Sequence, residues 1–203
     1  LVAPNAVDFA LFARAEKKKR DEIGLPLGRI AMYVGHLYEW KGVDVVVEAA
    51  KQSVDKDITF VFVGGTDKDL DLYQEKTQNL KNVLFLGHHS REEIPALIKS
   101  ADVLLLPNIP STQESNLYTS PMKMFEYMAS GVSIVASDLP SIREVLDETN
   151  SILVKAGDPV NLLFGIALAF GNKAGEKALR AQEQSKEYTW DVRVKKIINF
   201  ISS

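Results

Sequence analysis

Short unbroken apolar runs alternate along the chain with longer stretches in which apolar positions recur every three or four residues. The runs, at 30–35, 58–64, 83–87, 103–107, 133–137 and 151–154, are continuous rather than alternating. That is the pattern of strands covered on both faces. Helical spacing or start signals occupy 43–52, 69–80, 91–101, 121–130 and 141–146. Strands alternating with helices predict an α/β fold, a doubly wound parallel sheet of about six strands. Ser90-Arg-Glu-Glu93 has the spacing of a capping box, which predicts a helix from near Arg91. After Val154 only helices are expected: one opened by Asp158-Pro159, then 175–188 and 190–200, so the sheet domain of 29–203 ends in extra C-terminal helices from about 158. Residues 1–28 read as an entry segment from a missing N-terminal domain. Within that segment Lys17-Lys-Lys-Arg20 is expected to be a solvated helix face, with phosphate or acidic lipid as a minority reading.

Composition narrows the function classes. The chain has 203 residues, 24 basic against 27 acidic, and a net charge of −3, so no global field draws it to nucleic acid or to a membrane surface. With no cysteine, disulfides, thiolate-bound metals, iron–sulfur clusters and thiol nucleophiles are excluded, which fits a reducing, cytoplasmic setting. The apolar runs fall far short of the roughly 20 residues of a membrane span. The chain begins at Leu1, inside what reads as a connecting segment, and is expected to be a fragment.

In an open parallel sheet, ligands sit at the carboxyl ends of strands. The first junction, Gly35-His-Leu-Tyr-Glu-Trp-Lys41-Gly42, offers a glycine turn, a lysine and a helix start, the groups an anionic phosphate needs. It is neither a P-loop nor a dinucleotide fingerprint, and taken alone it reads more readily as a turn glycine beside a solvated lysine. The fourth junction carries more. Ser120-Pro121 is expected to be an N-cap followed by a first-turn proline, so that 119–123 present backbone N–H groups at the strand edge. Lys123, in that first turn, is unfavourable beside the positive helix end unless an anion binds there. Glu126, among Phe125, Tyr127 and Met128, needs hydrogen-bond partners. Paired sugar hydroxyls would serve, and so would backbone or an arginine.

Together these segments resemble the C-terminal, nucleotide-sugar-binding domain of the family 4, or group 1, glycosyltransferases, which is one Rossmann-like half of the GT-B fold. The resemblance rests on Pro4-Asn-Ala-Val-Asp8-Phe-Ala-Leu-Phe12, Gly35-His36 through Lys41-Gly42, Val83-Leu-Phe-Leu-Gly87, and Ser120-Pro-Met-Lys-Met-Phe-Glu126-Tyr-Met-Ala-Ser-Gly131 with Ile134-Val-Ala-Ser-Asp138. Glu144-Val, Asn150-Ser-Ile-Leu-Val and Gly157-Asp-Pro159 extend it over nearly the whole chain. It implies a retaining hexosyltransferase whose donor is a nucleotide-diphosphate sugar, with no cofactor or metal, and whose acceptor is held by the missing N-terminal domain. On its own the fragment is expected to turn over poorly. By position, Lys41 and Lys123 would be the catalytic electrophiles on the phosphates. Gly35, His36, His88, Tyr118, Thr119, Ser120, Met122 and Glu126 would complete the binding set, His88 near the base and Glu126 on the ribose. Of the family's two glutamates, separated by seven residues, Glu126 matches the second, while Tyr118 stands eight residues before it and Glu114 is out of register. At Tyr118 the chain thus departs from the family pattern, in which the first glutamate meets the transferred sugar. The resemblance also allows peripheral association of the full-length protein with the inner face of the membrane, and it implies no nucleic-acid partner.

Two rival readings stand beside it: a nucleotide-sugar epimerase, and a non-catalytic module whose donor site has degenerated at Tyr118. Asp69-Leu-Asp71 matches a metal-binding D-x-D but lies in an acidic helical stretch, and adjacent His88 and His89 lack the spacing of a helical zinc pair. Trp190 is expected to be a packing anchor. The 111–120 stretch reads as a lid or a long loop.

Overall fold

The computed structural model describes residues 1, 3–55, 57–111, 116–117 and 119–202. Tyr118 and Glu114 lie outside these described residues, as does half of the expected lid, 112–115 and 118. The strands are β1 (Arg29–Val34), β2 (Ile58–Val63), β3 (Val83–Gly87), β4 (Val103–Leu106), β5 (Ser133–Ser137) and β6 (Ile152–Val154). They form one parallel six-stranded sheet in the order β3-β2-β1-β4-β5-β6. The expected doubly wound sheet is therefore present.

Side-chain alternation along β1 divides the core. Ile30, Met32 and Val34 point to one face, packed with Leu97, Ile98, Phe125 and Met128, while Ala31 and Tyr33 point to the other with Val46, Val47 and Ile166. The first face is covered by α4 (Ile94–Ser100) and α5 (Met122–Ser130), together with α8 (Ala174–Ser185). The second is covered by α2 (Val43–Gln52), α3 (Asp67–Thr77) and α7 (Pro159–Ala169). The short α1 (Phe9–Arg14) and α6 (Pro140–Arg143) and the terminal α9 (Trp190–Ile201) complete the chain. No helix among the described residues is long and apolar enough to cross a membrane.

Strand register opens the molecule at one place. β1 pairs with β2 along its full length, Arg29 opposite Ile58 through Val34 opposite Val63. With β4 it pairs only at Ala31 and Met32. Beyond that point the Val34 N–H donates to the Tyr127 hydroxyl of α5 at 2.8 Å instead of to a neighbouring strand. This parting lies where the strand order reverses, the position at which doubly wound sheets bind ligands.

Three local expectations are corrected. Glu93 accepts from the Ser90 N–H at 2.9 Å, half of the expected capping box, yet the helix starts at Ile94 and not near Arg91. Pro95, in its first turn, has no N–H to return to residue 91, so the preceding turn stays irregular. The complete box is at Thr66 and Asp69, which exchange both bonds and start α3 at Asp67, ahead of the expected 69. Asp69 is thereby occupied in capping, and no cluster of metal-ligating side chains exists among the described residues. The basic run 17–20 is not a helix face. Lys17 to Lys19 are solvated, but Arg20 donates to Ser100 O, Gly28 O and Asp102 Oδ1 at 3.0, 2.6 and 2.7 Å. Asp102 in turn accepts from the Ile30 N–H at 2.8 Å. Arg20 thus ties the entry segment to the amino ends of β1 and β4.

Candidate functional site

A cleft of about 560 Å³ opens at the carboxyl ends of β1 and β3 and the start of α5. Gly35, His36, Lys41, His88, Thr119, Ser120, Met122, Lys123 and Glu126 all line it. Every sequence-predicted site residue that is described therefore meets in one cavity, although the residues come from three separate stretches of chain: 35–41, the loop after β3, and 119–126 with the first turns of α5.

The glycine loop is shaped by close approach. Gly35 has φ +138°, and a Cβ built on it would lie 3.3 Å from Lys123 Nζ. The glycine thus provides a left-handed turn and room for the ammonium group. Tyr33 braces the loop from below, its hydroxyl donating to the His36 carbonyl at 2.5 Å. Gly42, at φ +77°, lies so close to the Pro107 carbonyl that a Cβ would come within 1.8 Å of the oxygen. The β1 loop is thereby locked against the end of β4.

Helix α5 starts differently from expectation. Pro121 is its N-cap, with φ −67° and ψ 124°, and no side chain caps it. The Ser120 hydroxyl, expected to do so, accepts instead from the Asn5 N–H at 3.0 Å. An uncapped N-terminus keeps its positive end available to a ligand in the cleft.

Lys123 is the unusual group. It is 9% exposed, its Nζ has no hydrogen-bond partner among the described residues, and it rests 3.8 Å from the centre of the Tyr33 ring. Burial, then the neighbouring Lys41, push its pKa well below the ordinary lysine range, against a smaller opposing pull from Glu126. The Lys41 ammonium lies 3.7 Å over the Trp40 ring and is also lowered by burial. Glu126 is raised, chiefly by burial, with Lys123 and Arg91 acting in the opposite sense. Neither backbone nor arginine satisfies its carboxylate by a hydrogen bond among the described residues. Two lysines thus converge beside a helix N-terminus, with Glu126 acting on Lys123 through space but neither lysine in an ion pair among the described residues, an arrangement that an anion with several oxygens would complete.

Other walls were not signalled in the sequence. Asp8, Leu11 and Phe12 reach the cleft from the entry segment, and His89 and Arg91 from the loop after β3. Trp190, expected to be a packing anchor, also lines it and is 38% exposed. Only tertiary folding brings these segments together, and no local spacing marks them.

Comparison with known proteins agrees in fold and extent. The family model described as glycosyl transferases group 1 matches residues 28–169. A phosphatidyl-myo-inositol mannosyltransferase of Mycolicibacterium smegmatis is 31% identical over 93% of this chain and 48% of its own length. Among solved structures, Anabaena HepE in complex with UDP-glucose superposes with a TM-score of 0.81 at 20% identity, covering 97% of this chain and 56% of that one. The C-terminal domain of a group 1 glycosyl transferase from Francisella tularensis gives 0.72 at 20% identity, covering 91% of this chain and 100% of that one. The chain spans about half the length of the curated relatives it matches.

Proposed function

Because the chain belongs to the group 1 glycosyltransferases, we propose that its cleft is the donor site of a retaining transferase, holding a nucleotide-diphosphate sugar while a further domain presents the acceptor. The observation that carries this reading is Lys123, a buried ammonium group with no hydrogen-bond partner among the described residues, at the mouth of an uncapped helix.

The diphosphate lies between the Gly35 loop, Lys41, Lys123 and the N–H groups that open α5. When the bond from the anomeric carbon to the β-phosphate oxygen breaks, negative charge grows on the leaving diphosphate. The two ammonium groups and the helix dipole are already aimed at it. Glu126 accepts from the two ribose hydroxyls, which relieves the cost of its burial. His36 and His88 flank the phosphates and the base, and backbone from Thr119 to Met122 faces the sugar.

Calorimetric titration with UDP, GDP and ADP tests the reading. One of the three is expected to bind, and Lys41→Ala or Glu126→Ala to weaken it by roughly tenfold or more, the worth of a hydrogen bond to a charged group. Silence from all three, or unchanged affinity in both variants, would remove the assignment.

A further inference from the structure

Three distant segments meet just before the start of α5. The Asn5 backbone N–H donates to Ser120 Oγ at 3.0 Å, and Asn5 Nδ2 donates to the Ser120 carbonyl at 2.6 Å. From the terminal helix, Arg193 Nη1 donates to Asn5 Oδ1 at 3.0 Å. Asn5 therefore spends its backbone donor, its amide donor and its amide acceptor on two residues that are 115 and 188 positions away. Leucine would offer none of the side-chain bonds, and aspartate would set an oxygen against the Ser120 carbonyl.

What these bonds hold is the start of α5. Ser120 immediately precedes the Pro121 N-cap, and the helix has no side-chain cap of its own. Pro121 has no N–H with which to anchor the turn. Asn5 takes up both Ser120 groups that could fix the segment, and Lys123 stands one turn further on. The ends of the Asn5 tether are themselves secured. The Val7 N–H donates to the Tyr188 carbonyl at 2.8 Å, Val7 and Thr189 form a parallel bridge, and the Arg193 guanidinium lies 5.6 Å from the Trp190 ring centre.

We propose that Asn5 is a positioning residue, which sets the N-terminus of α5 against the donor phosphates through Ser120, and that Arg193 acts through Asn5 by fixing the orientation of its amide. A shift of the entry segment or of the terminal helix then reaches the phosphates without touching them. The inference rests on the donor-site reading above.

The test measures binding of inorganic pyrophosphate, and of whichever of UDP, GDP and ADP binds, to the 203-residue chain and its variants. Asn5→Ala is expected to lower affinity for both ligands by about tenfold, a position-dependent loss of one charged hydrogen bond. Affinity for the free nucleoside should be unchanged. Arg193→Ala should lose less, Arg193→Lys should recover most of that loss, and the double variant should be no weaker than Asn5→Ala alone, because one residue acts through the other. If Asn5→Ala does not fold, the Arg193→Ala and Arg193→Lys pair carries the same expectation with Asn5 in place. Equal loss for nucleoside and pyrophosphate, additive losses in the double variant, or unchanged affinity with only a lowered unfolding midpoint would overturn the inference and leave the donor site standing. A wild-type chain that binds neither pyrophosphate nor any nucleotide would overturn both.

Discussion

Lys123→Met separates a lysine kept for its ligand from one kept for packing. Lys123 is 9% exposed and its ammonium group has no hydrogen-bond partner among the described residues. Burial first, and Lys41 second, hold its pKa well below the ordinary range. In the unfolded chain the same amine titrates near its ordinary value. Below that value the unfolded state therefore binds more protons than the native one, and native stability falls as pH falls, by up to about 1.4 kcal/mol per pH unit, until the depressed native pKa is reached. Methionine keeps the length of the side chain and removes the amine. At pH 7 the variant should gain about 1 kcal/mol or more, raising the unfolding midpoint by about 2–4 °C for a domain of this size. It should also abolish that part of the alkaline pH dependence. Nucleotide affinity should move the other way, falling roughly 10- to 100-fold with the loss of a charge-assisted bond of about 1.5–3 kcal/mol. Scanning calorimetry and titration calorimetry on the same preparation read both effects. A midpoint lowered by several degrees, with nucleotide affinity within about twofold of wild type, would refute the reasoning.

Three further outcomes are expected. An anion placed on Lys123 raises its pKa toward the ordinary value, so nucleotide binding should take up as much as one proton and tighten as pH falls between the ordinary lysine pKa and the depressed one; titration in buffers of different ionisation enthalpy measures this, and a buffer-independent enthalpy would contradict it. Gly42→Ala combines φ +77° with a Cβ 1.8 Å from the Pro107 carbonyl, and denaturant unfolding should show a loss of about 3 kcal/mol or more, or no folded protein. Arg20→Ala leaves the Asp102 carboxylate and the Ser100 and Gly28 carbonyls without their donor and should cost about 2–4 kcal/mol in the same assay, whereas Lys18→Ala, at a solvated position, should cost under about 0.5 kcal/mol.

The sheet was legible because strands buried on both faces must be continuously apolar, and the helix over 43–52 because nothing in its tertiary setting opposed its spacing. Helix starts were less so. Ser90-Arg-Glu-Glu93 carried the right box letters but was overruled by Pro95, while Thr66 and Asp69 formed a box that acidic composition hid. The Ser120 hydroxyl had an alternative partner that no local pattern reveals. Lys123 and Glu126 were legible as candidates because a cation in a first helical turn and a carboxylate among aromatics both conflict with their surroundings.

Periodicity, turn glycines and residue type therefore determined by themselves that the chain builds a parallel sheet and which loops end at its ligand-binding edge. The tertiary structure decided the rest. It parted β1 from β4 beyond Met32, buried the Lys123 amine without a hydrogen-bond partner among the described residues, brought Asp8, Arg91 and Trp190 to the same cleft, and joined Asn5 to Ser120 and Arg193. Local preference acts over a few residues of chain. Desolvation and hydrogen-bond partnership depend on neighbours more than a hundred residues away, and those exist only once the sheet has folded.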